Sequence, residues 1–72
     1  MSTFQRQAQQ AKRYAERIRN AGKRAYAAEI IAAEIAGEAW PAYPREISYM
    51  AGQAVHMELS EIFAESLQHS RP

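Results

Sequence analysis

The chain has 72 residues, no cysteine and two histidines, which excludes disulfides and thiolate metal sites and leaves a structural zinc site short of ligands. A chain this short buries only about 60% of the surface its unfolded form exposes, so it can build one marginal core, and oligomerisation is the ordinary way to support such a core. Net charge is only +1, too near zero for a dedicated nucleic-acid domain, but it is distributed unevenly: +6 through Arg24 and −5 from Ala25 onward.

Ser2 and Gln5 fit a capping box, so a first helix can start almost at the N-terminus. Phe4, Ala8, Ala11, Ala15, Ile18, Gly22 and Ala25 then follow a 4-3-4-3-4-3 spacing that lines one helix face. The stripe is mostly alanine and glycine, so a partner helix can approach closely, and Tyr14 and Tyr26 border it. The opposite side carries two basic rows, Lys12, Arg19 and Lys23 in one and Arg6, Arg13, Arg17 and Arg24 in the other. Such a face is either solvated and neutralised by acidic neighbours, or a surface for nucleic acid or an acidic protein.

Asn20-Ala21-Gly22 is the weak point of this helix, because glycine costs about 1 kcal/mol relative to alanine and asparagine is a poor interior residue. Beyond it the apolar set, Ala28, Ile31, Ala32 and Ile35, is rotated by about a quarter turn at 100° per residue. A break here would give three helices. The helix-forming residues on both sides favour one long helix over about 3–38.

Trp40-Pro41-Ala42-Tyr43-Pro44 cannot continue a helix, since each proline lacks an N–H and restricts the residue before it. Gly37 suits a left-handed C-cap and Pro44 the first position of a new helix. The expectation is a turn over 39–43 and a second helix over about 44–68, making one all-α domain over residues 1–72: an antiparallel helical hairpin with an aromatic tip. Ile47, Ala51, Val55, Leu59 and Ile62 form the second helix's inward arc, with Phe63 at its edge. Met50, Ala54, Met57 and Ala64 form a separate apolar strip, and Tyr49, His56, Phe63 and Leu67 a third flank. A hairpin covers only one arc, and an exposed contiguous apolar strip marks an interaction site, so dimerisation into a four-helix bundle is expected. If the methionine strip is the dimer seam, Met57→Asp yields monomers.

Folding about residue 41 or 42 sets Glu58, Glu61 and Glu65 beside Arg17 and Arg24, pairs that set register more than they stabilise. The first helix is the longer, so residues up to about Tyr14, with Arg6, Lys12 and Arg13, should overhang.

No nucleophile motif, phosphate loop or metal-spaced cluster occurs, so no catalytic residue, metal or cofactor is assigned and an enzyme is not expected. His56 reads as a helix-flank or interface residue, because residues two apart on a helix, as His56 and Glu58 or Glu58 and Ser60, point in different directions and form no catalytic pair, and His69 as a helix-end residue. Trp40 and Tyr43 either close the core or anchor a partner, since Trp and Tyr are favoured interface anchors. The candidate partner-binding residues are Trp40, Tyr43, Met50, Met57 and Phe63; the candidate nucleic-acid face is Arg6, Lys12, Arg13, Arg17, Arg19, Lys23 and Arg24.

In size and plan this cysteine-free, Ala/Glu/Arg-rich hairpin resembles the small accessory proteins encoded by bacteriophages and plasmids, some of which block host factors. That resemblance implies a homodimeric inhibitor or adaptor acting on a bacterial host protein. The plan also resembles that of the plasmid RNA-binding protein Rop, a dimer of helical hairpins, which implies RNA or DNA binding as the alternative. The longest uncharged run, Ile47 to Met57, is far short of the ~20 residues that span a bilayer, and the alanine face of the first helix is too weak to insert. A cytoplasmic location without membrane insertion is expected.

Overall fold

The computed structural model describes residues 2–64, and over them the chain is all α, with three helices: α1 Thr3–Glu16, α2 Ala21–Ala36 and α3 Tyr49–Ile62. The capping box forms as read. Ser2 Oγ accepts from the Gln5 amide and Gln5 Oε1 accepts from the Ser2 amide, both at 3.1 Å. Phe4 and Ile18 flank the alanine seam, in which Ala8, Ala11 and Ala15 are buried.

The single long first helix does not form. α1 stops at Glu16, and the chain is non-helical through Asn20, ahead of Gly22. Asn20 takes an extended conformation, φ −71 and ψ 121, and its side chain accepts from the Lys23 amide at 2.9 Å. Asparagine's short amide competes with helical hydrogen bonding in an interior but satisfies free amides at an N-cap, where it is worth about 1 kcal/mol. Arg24 Nη1 donates to the Ile18 carbonyl at 3.2 Å, bracing the corner from the far side. The break explains the rotated apolar set. α2 turns Tyr26, Ala27, Ile30, Ile31 and Ala33 inward and leaves Ala28, Ala32 and Ile35 outside.

The proline stretch is not a tight turn, and Pro44 does not open the next helix. α2 ends at Gly37, whose φ of 71 is left-handed, with the Glu38 amide donating back to the Ala33 carbonyl at 2.8 Å. α3 starts only at Tyr49, capped by Ser48, which accepts from the Ala51 amide at 3.1 Å. Between the helices the chain runs back along α2. The Trp40 indole donates to Glu34, the Tyr26 hydroxyl donates to the Pro41 carbonyl, and Ile47 packs on Gly22. α2 is about 24 Å long at 1.5 Å per residue, a distance that the eleven residues Glu38 to Ser48, at about 3.3 Å each, span with some to spare.

α3 therefore begins beside the start of α2 and runs in the same sense. Its far end returns to α1, where the Phe63 ring lies 6.2 Å from Phe4 and 6.4 Å from Trp40. The antiparallel pair is α1 with α2, not a hairpin folded at the prolines, and two copies would bring six helices together rather than four. The second helix's expected end near residue 68, and the parts assigned to Glu65, Leu67 and His69, lie outside the described residues.

The core is made by five large, fully buried side chains, Tyr26, Phe63, Ile30, Leu59 and Val55. Each contributes about 1.5–3 kcal/mol, while the alanines mainly permit close approach. Ile47 and Ile62 are partly buried at the ends of the α3 arc. Gly52 matters because a Cβ there would meet Tyr43 Cδ1 at 2.7 Å and Cγ at 3.3 Å, atoms near the Tyr43 backbone that cannot swing away cheaply. Gly52→Ala should therefore lower unfolding free energy by roughly 1–3 kcal/mol in a urea titration followed by circular dichroism. An unchanged midpoint would mean the connector is not seated on α3.

Candidate protein-binding surfaces

At 100° per residue, Met50 and Met57 stand almost diametrically opposite Val55 and Leu59 on α3. Burial agrees with this placement: the valine and leucine are fully buried, while Met50 is 79% and Met57 55% exposed, with exposed Ala54 between them. The methionine row is an apolar strip with no described element of the chain over it. Tyr49, 64% exposed, stands about 100° round α3 from Met50 and lies edge to face with Tyr43, 38% exposed, at 5.1 Å.

The other candidate residues are placed differently. Trp40 is half-buried. Its Nε1 donates to Glu34 Oε1 at 2.8 Å, and its ring meets His56 at 4.9 Å and Phe63 at 6.4 Å. It closes one end of the core and pins the connector. Phe63, expected at the edge of the inward arc and on the third flank, is fully buried, because α3 ends where the α1 and connector aromatics converge. Tyr43 does both jobs, packing one side against Tyr26 and Gly52 and leaving the other open. His56 is half-buried between Trp40 and Tyr43, with Nδ1 3.5 Å from Ser60 Oγ and no described carboxylate holding it.

The basic face is divided. Arg6, Lys12, Arg13 and Arg17 belong to α1 and its C-cap, whereas Arg19, Lys23 and Arg24 surround the corner and the first turn of α2. All are exposed except the half-exposed Lys23. The two rows drawn for one continuous helix are therefore cut at the corner. The expected overhang is absent too, because Phe4, Ala8 and Ala11 pack along the length of α1. Glu61 shares a groove with Thr3, Arg6, Gln7 and Gln10, so it faces the beginning of α1 and not Arg24. Glu58 lies near Tyr14.

A surface that the sequence reading left unassigned lies between α1 and α2. Lys12 and Glu16 form one rim of a groove floored by Ala28, Ile31, Ala32 and Ile35. The quarter-turn rotation of these α2 residues is the signal for it, since it means either a kink or two halves that pack on different partners. Gln7, also outside the predicted stripe, is buried on α1.

Among the described residues no buried side-chain nitrogen or oxygen lacks a hydrogen-bond partner, and no group of three His, Cys, Asp or Glu side chains is placed to hold a metal ion. Among the described residues no helix is long and apolar enough to cross a membrane. Comparison with protein-family models, with curated proteins and with solved structures finds no match to this chain.

Burial raises the Tyr26 phenol above its ordinary value, with Tyr43 and Glu29 adding to the effect, and burial followed by the Glu58 charge does the same for Tyr14. Above pH ~10 the unfolded chain releases protons that the folded chain still holds, so the folded state loses stability as pH rises toward the folded-state values. Thermal melts should be level on this account up to pH ~9.5 and fall above it. Tyr26→Phe, at a cost of about 1 kcal/mol for the lost bond to Pro41, should make that fall shallower. An equally steep alkaline fall in the variant would remove Tyr26 as its source.

Proposed function

We propose that this chain is a non-enzymatic protein-binding module, a homodimeric inhibitor or adaptor of a bacterial host protein, and that the outer face of α3 receives the partner. One observation carries the reading: Met50 and Met57 are aimed directly away from the core and are exposed. Monomeric domains seldom leave large apolar side chains grouped this way. Methionine's flexible thioether adapts to irregular partner surfaces, while Tyr43 and Tyr49, in ring contact further round the helix, offer a rigid element at low entropic cost.

The test is a pull-down from nuclease-treated bacterial lysate with the wild type and with the double variant Met50→Asp/Met57→Asp. A stoichiometric protein captured by the wild type and lost by the variant is the expected outcome, with melting unchanged to within about 0.5 kcal/mol because both positions are exposed. Equal capture by both baits would refute the α3 face.

The corner between α1 and α2 supports a second reading. The contact of Arg24 with the Ile18 carbonyl holds its guanidinium at the loop that also carries Arg17 and Arg19, a compact exposed cationic cluster suited to phosphates. If about three phosphates are contacted, affinity for RNA or duplex DNA falls about 40-fold between 50 and 200 mM salt, and Arg17→Glu/Arg24→Glu abolishes it. No binding at the lower salt would end this reading.

A further inference from the structure

α2 is apolar on both sides. Its inner face supplies Tyr26, Ala27, Ile30, Ile31 and Ala33 to the core, and its outer face presents Ala25, Ala28, Ala32, Ile35 and Ala36 to solvent, with Ile35 48% exposed. The outer face carries exposed charge only at its edges, Arg24 on one side and Glu29 on the other; an exposed apolar strip of this kind marks an interaction site, and here no described part of the chain covers it. The groove between α1 and α2 has a floor of small side chains around Ile31 and Ile35, shallow enough for another helix to lie close, and a rim carrying one charge of each sign, Lys12 and Glu16.

We infer that the occupant of this groove is a second copy of the chain, with the two α2 helices packed antiparallel about a two-fold axis. Charge complementarity selects both the partner and the orientation. α1 folds back on α2 through the four-residue corner Arg17 to Asn20, so Glu16 lies toward the Ala28 half of the groove and Lys12 toward the Ile35 half. The antiparallel two-fold sets the Ile35 half of one copy against the Ala28 half of the other. Lys12 of each copy then faces Glu16 of the other, and Arg24 near the start of one α2 approaches Glu38 beyond the end of the other. Every one of these charge contacts is attractive and each occurs twice, as an isologous interface requires. A parallel pairing, with its two-fold along the helices, would put the two α1 helices on opposite sides of the α2 pair and make none of these contacts.

This arrangement moves the dimer seam from the methionine strip to α2 and leaves the α3 face of both subunits free. It rests only on the homodimeric half of the proposed function, and capture of a partner by α3 is read separately by the methionine variant above.

The experiment is light scattering over a concentration series, with circular dichroism melts to verify folding. The wild type should be a dimer, Ala32→Glu a folded monomer, and Met57→Asp still a dimer. Lys12→Glu and Glu16→Lys, both at exposed positions, should each weaken the dimer by roughly tenfold, since two pairs turn from attraction to repulsion. Mixing the two variants should form a heterodimer of about wild-type affinity, because the exchanged charges then pair across the axis. A wild type that stays monomeric at ~1 mM, where only dissociation constants above that range escape detection, would overturn the inference. So would a mixture no tighter than its components, or a Met57→Asp monomer beside an Ala32→Glu dimer.

Discussion

The hydrogen bond from the Trp40 indole to Glu34, together with that from the Tyr26 hydroxyl to the Pro41 carbonyl, holds the connector against α2, and the direction of α3 follows from that attachment. Two prolines and the residues they restrict keep this stretch extended. An extended stretch of this length either projects into solvent or lies along the helix it has just left. Tyr26, Trp40 and Tyr43 make the second outcome favourable by combining ring contacts with polar groups that find partners inside the fold. Once the connector has returned to Gly22, α3 has to start there, and its Val55, Leu59 and Phe63 complete the core between α1 and α2.

The corner at Asn20 is the second constraint. A continuous helix would have aligned the basic residues of α1 with those of early α2 and left the alanine seam facing a single partner. The break lets α1 fold onto α2, which buries Ala11 and Ala15 and gathers Arg17, Arg19 and Arg24 at one end. It also takes Ala28, Ala32 and Ile35 out of the core. The local competition between an asparagine as helix interior and as N-cap, worth about a kilocalorie, thus decides which of two apolar faces is left for another molecule.

Two apolar surfaces remain on this small chain, and they differ in kind. The α3 face has large, adaptable side chains and aromatic neighbours, suited to a partner of different shape. The α2 groove has a shallow floor and a rim of alternating charge, suited to its own symmetry mate. A core resting on five large buried side chains is modest, and burial between copies would add to it without enlarging the chain. Self-association through the α2 groove would leave the α3 face open, as the proposed adaptor or inhibitor requires.

The sequence by itself determined the helical class, the reciprocal cap at Ser2 and Gln5, the left-handed stop at Gly37, the alanine seam of α1 and the outward methionines of α3. Each depends on residues within a turn or two of one another, where spacing and side-chain chemistry translate directly into geometry. It also marked the weak point near Gly22, but the preceding asparagine, not the glycine, made the break, because the cap it forms outweighs the helix propensity of its neighbours. The direction of α3, the burial of Phe63 and the exposure of the α2 groove were decided only by tertiary contacts. They depend on the connector binding α2 along its length, through pairs such as Trp40 with Glu34 and Ile47 with Gly22, whose partners meet only when the chain has folded back, and helical periodicity carries no record of such meetings.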